Sequence, residues 1–287
     1  MSVNHLASAQ EAAVPADLLH RRYGSDQPAE TANWNTTLEA MLSHRSVRSY
    51  LPRAVPEGVL QVAVAAAQSA PTSSNLQAWS VIAVEDADHR AKLAELAGPN
   101  PQIVSAPLLL VWLADLSRLR TIATDHGKPG DGLDYLESFL LASIDAALAA
   151  QNALVALESL GLGTCYIGGM RNRPAEVAEM LGLPPETFAV FGMTVGYPDP
   201  SVTTEVKPRL PQSLVLHRER YRPAEQAVEP ASELAAYDAR MLAFQTRQGM
   251  ALRGWTSVVA NRIADVAALN GRHVLAEVVR RLGFKVK

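Results

Sequence analysis

The chain has 287 residues, 48% of them hydrophobic and 19% charged, with 26 Lys+Arg against 29 Asp+Glu. That balance is globular and can fill a large core, and a net charge of −3 lacks the basic surplus of a nucleic-acid binder. The single cysteine, Cys165, excludes an intramolecular disulfide framework and a thiolate metal cluster, and suits a reducing cytoplasm.

Residues 1–33 lack the apolar segment of a signal peptide and read as a poorly ordered extension. Leu38, Met41 and Leu42 in TTLEAMLSHR (36–45) have helical spacing. A second helix follows Pro56 and stops at Pro71. WSVIAVED reads as a strand, ADHRAKLAELAG (87–98) as a helix closed by Gly98, and APLLLVWLAD as a buried central strand. RTIATDHGKPGDG (120–132) is expected to be a polar loop. A long helix is expected from Leu133 to Leu160. Its apolar stretch 138–157 has the length of a membrane span, but Asp145, Gln151 and Asn152 argue against one. It reads instead as a helix at a core or subunit seam. TCYIGG is a short strand entering a glycine turn, PAEVAEMLGL a helix and FAVFGMTVGY a strand. A basic extended stretch follows, and helices return after Pro230, broken at Gly249, Gly254 and Gly271. The pattern is a mixed α+β layer architecture. One domain is expected over 34–287, with a core at 34–205 and a C-terminal arm at 206–287.

Three stretches carry chemistry. In HRSVRSY (44–50), an extended chain places His44, Ser46 and Arg48 on one side, a row suited to an anion; a solvated helix end is the plainer alternative. In VKPRLP, Pro208 holds Lys207 extended, so Lys207 and Arg209 face one way. GLGTCYIGGMR (161–171) fails the dinucleotide fingerprint, because Tyr166 stands where the last glycine is needed. Its Gly168 and Gly169 still permit close backbone approach to a flat ligand. No Gly-x-Ser-x-Gly elbow is present, which argues against a Ser-His-Asp hydrolase.

HRSVRSY, APTSSNLQAWSVIAV, AQNALVALESLGLG, YIGGMRN and VKPRLP, in that order, resemble the FMN-dependent nitroreductase family, nearest its oxygen-insensitive NADPH nitroreductase and flavin reductase P (NfsA/Frp) type. Similarity runs from about Asn35 onward, with 1–33 and 120–132 outside it. The resemblance implies a nitroreductase-like fold: a mixed, mostly antiparallel sheet flanked by helices, with a helical C-terminal excursion, in a domain-swapped homodimer. It implies bound FMN, with NADPH as electron donor. It assigns the flavin phosphate to His44, Arg45, Ser46, Lys207 and Arg209, and the pyrimidine edge to Arg48. Ser73, Ser74 and Asn75 would lie beside the ring, and Tyr166, Ile167, Gly168 and Gly169 over it. Asn75 replaces a bulkier residue of the family, and Asn100 stands where the family carries Gln. Arg247 and Arg253, on an expected mobile loop, would grip the 2′-phosphate of NADPH. Arg171 and Arg272 would stand at the mouth.

The implied reaction is a ping-pong hydride transfer from NADPH to FMN and on to nitroaromatics or quinones, with the flavin supplying the chemistry. Two alternatives stay open: a flavin reductase that hands reduced FMN to a partner, and a flavin-binding protein without turnover. Nucleic acid and membrane are not expected partners, and the expected compartment is the cytoplasm.

Overall fold

The structure, a computed structural model, describes residues 17–24, 34–221 and 230–287. The chain divides into two compact units. One comprises the described residues up to Arg45 together with Thr203–Ala268; the other comprises Ser46–Val202 and Leu269–Lys287. The division differs from the expected core and arm, since 269–287 belong to the larger unit.

The larger unit is built on a four-stranded sheet in the order β1-β2-β4-β3, with β1 at Trp79–Val84, β2 at Leu108–Asp115, β3 at Gly163–Ile167 and β4 at Thr187–Gly196. All three pairings are antiparallel, and β2–β4 carries an irregularity at Trp112/Leu113. Every residue of β2 is buried, which is why its sequence is continuously apolar rather than alternating. One face carries α3 (Glu57–Gln68) and α7 (Leu136–Ser159), whose small Ala149, Ala150 and Ala153 pack with Leu108, Leu110 and Trp112. The other face is filled from α4 (Ala87–Ala97), α5 (Pro101–Ser105) and α8 (Pro174–Met180), through residues such as Leu93, Ile103 and Val177.

Among the described residues α7 alone is long and apolar enough to cross a membrane. Its alanine-rich face is buried on the sheet, while Leu136, Leu140, Ile144 and Leu148 form an exposed apolar stripe at four-residue spacing.

The expected loop at 120–132 is corrected. Residues Ser117–Asp125 form a helix, α6, and a 3₁₀ turn spans Asp131–Asp134. No residue of α6 is fully buried; its short apolar period, Leu119 with Ile122 and Ala123, reaches the core only through the partly buried Leu119. Charge adds to the anchoring. Arg120 donates to both carboxylate oxygens of Glu186, at 2.9 and 2.6 Å, and to Asp134 at 2.9 Å. Asp134 also accepts from Lys285 and Lys287, each at 2.9 Å. These lysines, ahead of Arg120, hold the Asp134 carboxyl well below the usual carboxylate range.

In the smaller unit, residues 17–23 form a helix, α1, where no element was expected, and Thr36–Leu42 form α2. After the extended basic stretch come α9 (Pro230–Arg247) and α10 (Trp255–Arg262). Tyr237, Met241 and Phe244 of α9 are buried against Leu210 and Trp255. The last helix, α11 (Leu275–Arg281), belongs to the larger unit.

Candidate functional site

The predicted site residues fall on both units. In the larger unit, the segment after Arg45 lies along β3. Ser46 forms a parallel bridge with Thr164, and the Val47 amide donates to Thr164 O at 2.9 Å. This approach requires Gly163, where a β-carbon would come within 2.6 Å of the Val47 side chain. The buried Tyr50 hydroxyl donates to Val47 O at 2.6 Å and shares a 2.8 Å hydrogen bond with Thr194 Oγ1. Burial pushes the Tyr50 phenol well above its ordinary pKa. Val47 and Tyr50 are buried and Arg48 is exposed, so the strict alternation of an extended chain holds from Val47 to Arg48 and is broken before Tyr50.

Ser73–Asn75 form an exposed 3₁₀ turn with unusual backbone: φ is 49° at Ser74, 55° at Asn75 and 51° at Gln77. Three non-glycine residues in the left-handed region cost on the order of 1 kcal/mol each and persist only where neighbours over-determine them. Asp145 of α7 supplies that constraint. It is 2% exposed, and its Oδ2 accepts from Thr72 Oγ1 at 2.6 Å and from the Ala78 amide at 3.1 Å. Thr72 Oγ1 in turn accepts from the Gln77 amide at 2.9 Å. From the sequence alone, Asp145 argues only against a membrane helix.

β3 ends in the glycine pair. Ile167 is buried, and Tyr166 is 39% exposed, edge-on to Phe191 with centroids 5.1 Å apart. Gly169 is pressed on α4: a β-carbon there would lie 2.3 Å from Ala97 O. That carbonyl also accepts from Asn172 Nδ2 at 2.8 Å and Asn100 Nδ2 at 3.0 Å. Asn100 Oδ1 accepts from Gln102 at 3.2 Å, so the Asn100 amide holds its own turn. A β-carbon at Gly168 would meet only the ends of flexible side chains. The nearest atoms there are guanidinium nitrogens of Arg171 at 3.5 Å and Arg272 at 3.6 Å. Arg171 donates to Val190 O, and Arg272 Nε donates to Asn172 Oδ1 at 2.9 Å. The structure therefore brings Arg171 and Arg272 together over Gly168. Asn172, which the motifs did not single out, links Ala97 to Arg272.

In the smaller unit, Lys207 and Arg209 line a cavity of about 770 Å³ with Arg253. Tyr23, Tyr237, Phe244 and Trp255 are among its walls. Tyr237 Oη donates to Pro208 O at 3.2 Å, which fixes the KPR backbone. Arg22 of α1 is 6% exposed and donates to Leu42 O at 2.6 Å, Lys207 O at 3.2 Å and His44 O at 3.5 Å. Burial first, and then the charge of Arg209, lower its pKa. His44 is half-buried and Arg45 exposed.

Arg247 and Arg253, expected on one loop, lie on different elements: only Arg253 is in the segment between α9 and α10. Arg247 ends α9 and is ion-paired to Glu205 at 3.0 Å. It lines a second cavity with His20, Arg21 and Arg240, whereas Arg253 lines the cavity of Lys207 and Arg209. Glu205 lies some forty positions upstream of Arg247 in sequence, so no local carboxylate could have signalled the pair.

Residues 41–197 match the model of the nitroreductase family, and 207–287 match that of the family's C-terminal domain. The first match runs through 120–132, which the motifs had left outside. The chain is 36% identical over 256 residues to a Bacillus subtilis protein named FMN reductase, NAD(P)H, covering 88% of this chain and 99% of that protein. It is also 36% identical over 213 residues to the oxygen-insensitive NADPH nitroreductase of Salmonella typhimurium, covering 74% of this chain and 84% of the other. The solved structure of B. megaterium NfrA2 superposes with a TM-score of 0.81 at 36% identity, over 88% of this chain and 100% of that one. With both family models matched in chain order, and with the fold shared, this chain belongs to the nitroreductase family.

Proposed function

We infer that the chain is an enzyme, an FMN-dependent NAD(P)H oxidoreductase that takes its electrons from NADPH. Its family and the names of its relatives support this. The observation that carries it in the structure is the gathering of Lys207, Arg209 and Arg253 on one aromatic-walled cavity, an arrangement that suits an anionic ligand with flat rings. The glycine pair fits the same cofactor: Gly168 carries no side chain, and over it stand two flexible guanidinium groups that suit an electron-rich ring edge.

When bound, FMN supplies the ring that accepts and gives up hydride. His44, Arg45, Ser46, Lys207 and Arg209 take its phosphate, and Arg48 faces the pyrimidine edge. Ser73, Ser74 and Asn75 stand beside the ring, with Asn100 behind the turn that seats Gly169; Tyr166, Ile167, Gly168 and Gly169 cover the ring. Arg253 binds the NADPH phosphate, and Arg171 with Arg272 orient an electron-poor acceptor. The acceptors are nitroaromatics and quinones. The assembly is a domain-swapped homodimer, supported by the exposed stripe Leu136, Leu140, Ile144 and Leu148 on α7, since an uncovered apolar face of that kind marks an interaction surface. The working compartment is the cytoplasm, consistent with one buried, unbridged cysteine.

The name of the B. subtilis relative favours a second reading, in which free flavin is the acceptor and leaves reduced. Steady-state turnover with a nitroaromatic, a quinone and free FMN, under NADPH and under NADH, tests both. Nitro or quinone turnover with FMN retained supports the first. Preferential turnover of free FMN supports the second.

A further inference from the structure

Arg22 lies on α1, ahead of the residues that either family model matches. It is among the most buried cations of the described residues, at 6% exposure. Its hydrogen-bond acceptors there are three carbonyl oxygens, those of Leu42, His44 and Lys207. The reverse bond also exists: the Arg209 amide donates to Arg22 O at 2.8 Å. One residue thus ties the backbone entering His44 and Arg45 to the backbone that carries Lys207 and Arg209. Those two segments are far apart in sequence, and each presents cations. The guanidinium fork suits the task, because its five donors are fixed in one plane and reach several acceptors at once. Carbonyl acceptors leave its charge uncompensated, which is costly for a buried cation and is offset when an anion sits beside it.

We propose that Arg22 is a positioning residue of the flavin phosphate site, a brace that sets His44 and Arg45 against Lys207 and Arg209 and adds positive potential behind them. This rests on the assignment of those four residues to the phosphate. Arg22 itself need not touch the flavin. It acts through the carbonyls it holds, and so it belongs to this chain's N-terminal extension rather than to the motifs.

The test compares full-length wild type with Arg22→Met, Arg22→Lys and Arg209→Ala. Met keeps the apolar stem without charge or donors; Lys keeps the charge but loses the planar fork. Equilibrium dialysis against FMN and against riboflavin, which lacks the phosphate, gives an affinity ratio for each protein. A merely structural role would weaken both flavins alike. The expected result is a fall of about tenfold in the FMN-to-riboflavin ratio for Arg22→Met, a smaller fall for Arg22→Lys, and a fall for Arg209→Ala. If Arg22→Met folds poorly, the Lys variant decides. A wild-type ratio in both Arg22 variants, with a lowered ratio in Arg209→Ala, overturns the brace and leaves the phosphate site standing. A wild-type ratio in Arg209→Ala overturns the phosphate assignment and the brace with it.

Discussion

The side-chain amide of Gln245 grips the backbone of Arg253 from both ends: Nε2 donates to Arg253 O at 2.9 Å, and Oε1 accepts from the Arg253 amide at 2.8 Å. Gln245 is 8% exposed, and its own carbonyl accepts from the Met250 amide at 2.9 Å. The segment between α9 and α10 is therefore stapled, and Arg253 is presented from a fixed backbone. Replacing Gln245 by Leu strands two backbone groups, at about 1–3 kcal/mol for each one left buried and unpaired. The expected result is a raised KM for NADPH with a smaller loss of FMN affinity, read from steady-state kinetics and the visible spectrum.

Arg247 and Arg253 should behave differently. Arg247 sits in an exposed ion pair with Glu205, of a kind worth about 0–1 kcal/mol, so Arg247→Ala should leave kcat/KM for NADPH within about fivefold of wild type. Arg253→Ala should lower it by about 10- to 150-fold if the lost bond is charged and desolvated, with NADH little affected when FMN is kept saturating. Because Arg253 shares its cavity with Lys207 and Arg209, the same variant should also loosen FMN. Kinetics with both nucleotides at fixed ionic strength, plus an FMN titration, check this; equal losses in the two variants would refute the separation.

Much of this was open to inspection in the sequence. β1, β2, β3 and β4 announce themselves by β-branched and apolar runs, and α7 by length. The turn at the glycine pair and the extended backbone of the KPR stretch are legible locally. What stayed hidden depends on partners distant in the chain. α6 has no buried residue, and its anchors Glu186 and Asp134 lie elsewhere in sequence. Asp145 reads in sequence as a defect in an apolar helix, yet the 72–78 backbone hangs on it. Arg22 is one more cation in a polar extension until its three carbonyls are located. Periodicity reports what a segment buries; it carries no record of which distant group a charge will meet.

Strain at 74–77 predicts an asymmetry. Ser74→Gly removes the left-handed penalty and should raise stability by up to about 1 kcal/mol. Asp145→Ala, which releases both ends of the turn, should cost about 2–4 kcal/mol through lost charged hydrogen bonds, and should weaken FMN binding if the turn flanks the ring. Thermal melts and FMN titrations of the two variants decide.

The glycine pair offers a paired contrast. Gly169→Ala pushes a methyl into Ala97 O and should cost about 1–3 kcal/mol as an overpacked site. Gly168→Ala meets only flexible arginine tips at 3.5 Å or beyond and should stay within about 0.5 kcal/mol of wild type. If the flavin lies over Gly168, that second variant should fold normally and turn over slowly. Melting curves beside acceptor kinetics read both.

Acid should unfold the larger unit through Asp134. Its carboxyl titrates far below the unfolded value of roughly 3.9 because Lys285 and Lys287, and then Arg120, favour the charged form. Its stabilising contribution is therefore complete above that unfolded value and drains away as pH falls through it toward the folded value. Melting temperature followed from pH 7 down to about 2.5 should drop steeply in wild type below roughly pH 4. Asp134→Asn should start lower and show a shallower slope.

The dependence on FMN and NADPH is tested most directly by anaerobic mixing of the purified, FMN-loaded protein with NADPH, followed near 450 nm. The expected result is loss of the flavin band with about one NADPH consumed per FMN, and recovery of the band when a nitroaromatic or quinone is added. A protein that takes up no FMN, or a bound flavin that NADPH leaves oxidised, would contradict the assigned function.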